Sequence, residues 1–407
     1  MKNPRITLAM LLLVYSFNFL DRQILSILAQ RVQRDLGLDD GQMGMLGGLA
    51  FAALYSTLAI PLALIADRTS RTWVITLSLA IWSAFTALCG TAQNFTQMFL
   101  FRLGVGVGEA GGVAPSYALI ADTFPPERRA RALAIYSLGI PLGAAGGVLL
   151  GGYIAQAVEW RTAFYTVGLA GLVIAPFFRL IVKDPPRAAS ADRIPVGRVF
   201  GILARKPSFW LLAFGAAAGS MCGYGVAFWL PSLMMRSFGL DLVQTGQFFG
   251  ALLLTGGVAG IFLGGALGDR LGARDKRWYA LLPALCYVLG TPLFIAGVLS
   301  SGWAAAFALF LLPQALVYVW LGPVLTAVQH LVPGHMRATA SACFLLINNL
   351  IGLGLGSWVV GQLSKGLAPT YGSESLRYAI AAALCLYLVA GALMALASRR
   401  LGRDWVA

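Results

Sequence analysis

Charge is scarce in this 407-residue chain. Only 11% of its residues are Asp, Glu, Lys or Arg, against 58% hydrophobic, and its mean hydropathy is +0.77. Soluble globular proteins carry about 25% charged residues, so a large soluble core is excluded and an integral membrane protein implied. Histidine is nearly missing, with only His330 and His335, and no cluster has the ligand spacing that zinc hydrolysis needs. No side-chain nucleophile stands near a plausible base, so neither an enzyme nor a cofactor or metal is expected. The five cysteines (Cys89, Cys222, Cys286, Cys343 and Cys385) share no CxxC spacing and lie in apolar stretches. They read as small packing residues without a disulfide role.

Acids are scarcer than bases, 16 Asp and Glu against 30 Lys and Arg, for a net charge of +14. Such an excess suits nucleic acid, but its distribution argues against that partner. With the N-terminus placed in the cytoplasm, 22 of the 30 basic residues fall on that side, 6 on the other and 2 within the membrane. This is the positive-inside pattern; it puts both termini in the cytoplasm and gives anionic membrane lipid a basic face to meet.

Long polar runs are also missing. A helical crossing needs about 20 apolar residues, and about twelve such stretches nearly use up the length. They run over residues 6–29, 42–66, 72–92, 97–121, 131–156, 160–182, 208–235, 244–268, 278–299, 304–329, 337–364 and 375–398. The first could pass for a secretory signal, but it continues through Asp21 and Arg22 to Ala29 with no small-residue cleavage site, so it reads as a retained helix. The one long connection, 183–207, holds Lys183, Arg187, Arg193, Arg198, Arg205 and Lys206 with Pro185, Pro186 and Pro195. Ile194, Val199, Ile202 and Leu203 alternate with its arginines, leaving open a helix in the headgroup plane or an irregular basic loop.

That connection separates halves that repeat, giving an N-terminal bundle 1–182, a cytoplasmic linker 183–207 and a C-terminal bundle 208–407. Ala66-Asp67-Arg68 with Arg71 ends the second stretch, and Gly268-Asp269-Arg270 with Arg274 ends the eighth. Pro125, Arg129 and Ala130 after the fourth correspond to Pro333, Arg337 and Ala338 after the tenth. Two parallel six-helix halves with a midplane site between them are a common transporter plan. Gly139, Gly143, Gly147 and Gly151 line one face of the fifth stretch, and Gly256, Gly260, Gly264 and Gly268 do so on the eighth. These runs predict a shared, slidable contact across the half-to-half interface.

Four charges stand inside the apolar stretches: Asp21, Arg22, Arg102 and Glu109. Each costs about 2.5–3.5 kcal/mol at mid-membrane, so they must face one another or a wet cavity. Counting 1.5 Å per residue puts Asp21 about 12 Å below the outer surface, Arg102 about 8 Å and Glu109 about 18 Å. Arg102 and Glu109 share a helix face but stand about 10 Å apart, so each should meet the first helix, where Asp21 fits the gap. A static clip needs fewer charges than two carboxylates against two arginines. The arrangement suggests a proton switch, with Asp21 the ionised partner of Arg102 and Glu109 the proton holder. Arg22 points about 100° away from Asp21, toward a cavity as an anion contact or outward by snorkelling. The second half offers no charge at this depth, only Tyr224, Phe228, Gln314, Tyr318, Asn348 and Asn349. One charged wall and one aromatic-polar wall suit an amphiphile with an anionic head, while a small organic anion such as an aromatic or sugar acid is the alternative cargo.

The Asp67-Arg68 and Asp269-Arg270 repeats resemble the cytoplasmic loop motif of the major facilitator superfamily. Ala63 and Ser70 stand where that motif usually has glycine. Asn18-Phe19-Leu20-Asp21-Arg22, the stretch Arg102 to Ala110, and Pro115, Ser116 and Asp122 with the loop from Pro126 to Arg131 are similar to the spinster branch. That branch includes sphingosine-1-phosphate and lysophospholipid transporters. The resemblance implies an all-α fold of twelve transmembrane helices in two pseudo-symmetric six-helix bundles, alternating access and proton coupling through Asp21 and Glu109. Arg22 and Arg102 match its membrane arginines. It further implies that Asp67, Arg68 and Arg71, with Asp269 and Arg270, form a cytoplasmic gate, and that the fifth and eighth helices meet. The expected setting is a bacterial inner membrane, with the protein a multi-pass monomer.

Overall fold

The computed structural model describes residues 3–185 and 195–406, which form helices and, among the described residues, no strands. Pro186, Arg187, Arg193 and Ile194 of the linker lie outside them, as do the side chains at 126, 127, 130, 335 and 338. Ten described segments are long and apolar enough to cross a membrane. One of these, Thr339–Asp404, holds two crossings, because the chain turns through Gly372–Glu374. The remaining crossing is broken: its helix runs over Phe95–Glu109, stops, and resumes over Val113–Thr123. Twelve crossings result, as the hydropathy pattern predicts.

The first crossing, Pro4–Leu36, shows how local chemistry sets its ends. The Asn3 side chain accepts the Arg5 N–H, Pro4 occupies the first turn, and Gly37 closes the helix at φ 65°, a conformation without penalty only for glycine. Large apolar residues such as Leu180, Leu289, Phe262 and Leu312 point outward. In water such a belt would drive aggregation; in a bilayer it is the solvated face.

The chain groups into two compact units. One takes the described chain up to residue 185 together with Leu240–Gly250; the other takes residues 195–239 and the chain from Ala251 onward. In the second unit the linker forms a short helix, Val196–Ala204, that buries Val199 and Leu203 and turns Val196 and Phe200 outward. The tail of the last crossing is fastened to the same unit. Asp404 accepts from the Ser208 backbone N–H (3.2 Å) and hydroxyl, and Trp405 stacks on His330 at 4.5 Å and on Tyr279 at 5.5 Å.

The glycine runs do close-approach work, each with a helix of its own unit. A Cβ on Gly143 would collide with the Ser16 carbonyl, and one on Gly147 with the Leu20 carbonyl, so the fifth crossing lies backbone-to-backbone on the first. Gly260 and Gly264 sit in the same way on Ala315 and Val319 of the tenth crossing. Within the first unit the fifth crossing also meets the start of the eighth: Gly152 faces the Leu242 carbonyl and Gly246 the Val148 carbonyl, with the Val243 N–H donating to Gln156 Oε1 at 3.1 Å. A run of small residues shows that a face is crowded, and any neighbouring helix can be the crowding partner.

Gly143→Val should therefore lower stability by about 1–3 kcal/mol by overpacking, seen as a lower thermal midpoint in detergent. Gly197→Ala, which meets nothing within 4 Å, should leave the midpoint unchanged or slightly raised. Equal midpoints for the two variants would contradict the helix contact.

Candidate functional site

The site grows from the fourth crossing. Gly104, Gly106 and Gly108 alternate along it because neighbouring helices leave no room for side chains: Gly104 meets the Phe85 ring, Gly106 the Phe51 carbonyl and Gly108 the Trp82 backbone. That approach brings Arg102 and Glu109 down between the second crossing, Asp40–Arg68, and the third, Arg71–Cys89. The helix then stops just past Glu109, at Ala110, and resumes at Val113.

All four intramembrane charges converge in the first unit. Arg22 Nε donates to Glu109 Oε2 at 2.8 Å, with Glu109 wholly buried and the Arg22 side chain 11% exposed. Arg102 Nη1 stands 3.9 Å from Asp21 Oδ2, both side chains at most 2% exposed. At that distance the second pair is held by charge rather than by a hydrogen bond. Thr86 Oγ1 donates to Asp21 Oδ1 at 2.8 Å. The two carboxyl groups also lie within each other's field. Asn18 Oδ1, Asp21 Oδ2, Glu109 Oε1 and Arg102 Nε and Nη1 are buried and find no hydrogen-bond partner among the described residues.

Aromatic rings complete the enclosure. The Arg22 guanidinium lies 4.7 Å from the Phe51 ring, 4.6 Å from Tyr55 and 5.1 Å from Phe19, and Arg102 lies 5.5 Å from the same Phe51 ring. Phe51 is thus a slab shared by both arginines, worth about 2 kcal/mol or more per contact when desolvated. Of the two orientations open to Arg22 in the sequence, snorkelling is ruled out. Its guanidinium is gripped by Glu109 instead, so Glu109 meets Arg22 as its nearest partner and Asp21 does not alone bridge the gap.

The cytoplasmic motif of this unit forms its own network. Arg71 pairs with Asp122 and, at 3.3 Å, with Asp67; Arg68 is exposed. Asp184, which the sequence reading passed over, accepts from the Ser70 hydroxyl, the Thr72 N–H (3.1 Å) and the Thr72 hydroxyl (3.2 Å). It joins the start of the linker to the head of the third crossing. Its signal in the sequence was slight: one acid among basic residues, far from the helix it caps. Asp269 and Arg270 are exposed at the end of Val258–Gly272 in the second unit.

In the second unit the uncharged candidates are partly committed to packing. Phe228 sits edge-on to Trp229 at 5.3 Å, and Asn348 accepts from Ser220 at 2.8 Å and donates to Asn349 at 3.3 Å. Gln314 lies over Gly256 and Tyr318 over Gly257, in a widened π-turn, Leu253–Gly257; Tyr224 is a neighbour of Tyr318. Asn349 opens a second π-turn, Asn349–Leu353. Such turns recur at functional sites. Cys385 is exposed, which departs from the packing role read for all five cysteines.

A guanidinium cannot shed its proton, whereas a carboxyl can take one up. Glu109→Ala should consequently destabilise by about 3–5 kcal/mol, and Arg22→Met by clearly less. Thermal midpoints in detergent check this; equal losses, or a larger one for Arg22→Met, would refute the pairing.

Comparison with known proteins identifies the family of this fold. A family model described as Major Facilitator Superfamily matches residues 11–357. An MFS-type efflux pump of Mycolicibacterium smegmatis is 34% identical over 398 residues, covering 97% of this chain and 92% of the pump. Protein spinster homolog 1 of Homo sapiens is 26% identical over 410 residues, covering 93% of this chain and 77% of that protein. The crystal structure of a bacterial homolog to the human lysosomal transporter Spinster, in an inward-facing and unoccupied conformation, superposes with a TM-score of 0.89 at 29% identity, covering 99% and 98% of the two chains. Twelve apolar crossings, a duplicated loop motif and these likenesses place the chain in the Major Facilitator Superfamily, as a multi-pass membrane transporter with spinster proteins among its relatives.

Proposed function

We propose that this chain is a proton-coupled carrier that moves an amphiphilic anionic lipid, of the lysophospholipid or sphingosine-1-phosphate kind, by alternating access. The observation that carries the reading is the buried set of two carboxylates and two arginines, Asp21, Glu109, Arg22 and Arg102. A fixed cation beside a titratable acid is the part list of a proton switch. The arginines hold constant charge, and a proton arriving on a carboxyl loosens its grip on one of them. Arg22 is the member with open surface and so the proposed contact for an anionic headgroup. Its release from Glu109 on protonation couples the two events.

Tyr224, Phe228, Gln314, Tyr318, Asn348 and Asn349 are the proposed cargo contacts of the second unit. Their lack of charge favours an apolar tail over the small aromatic or sugar acid that is the alternative cargo. Asp67, Arg68, Arg71, Asp269 and Arg270 are the proposed cytoplasmic gate. Exposed pairs of this kind contribute about 0–1 kcal/mol each, weak enough to break in every cycle. The basic-loop asymmetry supports cytoplasmic termini, bacterial relatives support a bacterial inner membrane as the setting, and the repeated motifs on either side of the long connection support the division into bundles 1–182 and 208–407 around the linker. The working unit proposed is the monomer.

In liposomes with an imposed pH difference, purified protein should move a fluorescent lysophospholipid saturably, with lysolipids competing and small aromatic acids not. Asp21→Asn and Glu109→Gln should each cut the pH-driven component at least tenfold. Normal proton dependence in both variants would sink the coupling, and competition by aromatic acids alone would turn the cargo assignment to the alternative.

A further inference from the structure

A threonine hydroxyl has one proton to give, and inside a helix it usually gives it to the carbonyl four residues earlier. Thr57, Thr76, Thr166, Thr255 and Thr291 all do this here. Thr86, 1% exposed on the third crossing, does not. Its Oγ1 reaches across to Asp21 Oδ1 at 2.8 Å. The neighbouring cation supports the same carboxylate through its field rather than through a hydrogen bond, since Arg102 stays 3.9 Å from the other carboxylate oxygen.

From this geometry we infer that Thr86 is a positioning residue that keeps Asp21 ionised and thereby directs the transported proton to Glu109. The inference rests on the coupling reading above and assigns roles within it. The groups facing Asp21 are Arg102 and Glu109 on the fourth crossing, Arg22 on its own helix, and Thr86 with the Cys89 thiol on the third. Among them Thr86 alone has a described hydrogen bond to the Asp21 carboxylate within normal length and geometry. A hydroxyl that donates to a carboxylate stabilises its charged form, while a protonated carboxyl has less need of that donor. Thr86 gives Asp21 a donor that is independent of its ion pair with Arg102, whereas Glu109 is held through Oε2 by Arg22, the arginine proposed to leave it for the cargo, and has no hydroxyl donor among the described residues. One acid is thus fixed as a counter-ion and the other left to exchange.

The test is an infrared titration of the protonated-carboxyl band in the purified full-length protein, which needs no knowledge of the cargo. Thr86→Val keeps the branched shape and removes the hydroxyl. It should move the band's midpoint about one pH unit toward alkaline values. Thr86→Ser should restore the wild-type midpoint, and in an Asp21→Asn background Thr86→Val should have no effect. If Asp21→Asn and Glu109→Gln leave the titration untouched, the coupling reading fails, and this inference with it. If they alter it while Thr86→Val leaves the midpoint in place, or Thr86→Ser fails to restore it, only the role of Thr86 is overturned.

Discussion

A charge moved from water into hydrocarbon loses its hydration, and the protein must replace what was lost. This constraint organises the first unit. With both acids ionised, two carboxylates and two guanidinium groups sum to zero, so the cluster then has no net charge to place in a low-dielectric setting. Neutrality alone would not suffice, because each group also needs local partners. Glu109 receives a direct donor from Arg22, and Asp21 receives Thr86 and the field of Arg102. Both arginines lie beside Phe51, whose ring face attracts cations where water cannot reach. The glycines of the fourth crossing follow from the same demand, since only a helix stripped of side chains comes close enough to seat its charges against Phe51.

Much of this was legible in the sequence because hydropathy and helical rise are strongly constraining. The crossings follow from apolar length, and the meeting of the first and fourth helices follows from the depths of Asp21, Arg102 and Glu109. The partner of Arg22 was not legible. Depth is set by counting residues, but the direction of a long side chain is set by what surrounds it, here the rings of Phe19, Phe51 and Tyr55. The glycine runs did not identify the first and tenth crossings as their neighbours for a related reason, since a bare helix face does not name its neighbour. Thr86 was invisible because threonine is ordinary in an apolar helix; only the destination of its hydroxyl sets it apart. Asp184 was hidden by its distance in sequence from the Ser70–Thr72 turn that it caps.

The internal repeat explains where charge is absent as well as where it is present. The shared loop residues are offset by 208 positions, from Pro125 to Pro333 and from Arg129 to Arg337. The same offset carries Glu109 to Val317 and Arg102 to Phe310. Both crossings nonetheless interrupt their helix at the corresponding place, after Glu109 in one and from Val317 to Trp320 in the other. The break therefore belongs to the shared architecture and does not depend on the acid beside it. The first unit has added ionisable groups at a bend that the second fills with Tyr318 over Gly257. Shared backbone with divergent side chains lets one unit specialise in charge and the other in aromatic and amide contacts.

The third crossing links the loop motif to the buried charges in a single rigid piece. It begins at Arg71, paired with Asp67 and Asp122 and capped by Ser70 and Asp184, and runs without interruption to Cys89. Thr86 is fifteen residues from Arg71, about 22 Å along that helix. A helix of this length shifts and turns as a body, so any displacement of the Arg71 network moves Thr86 with it. A hydrogen bond weakens steeply with distance and angle, and a shift of about 1 Å is enough to detach the hydroxyl from Asp21. The loop motif and the intramembrane acids need no long chain of intermediaries, since one helix carries a member of each.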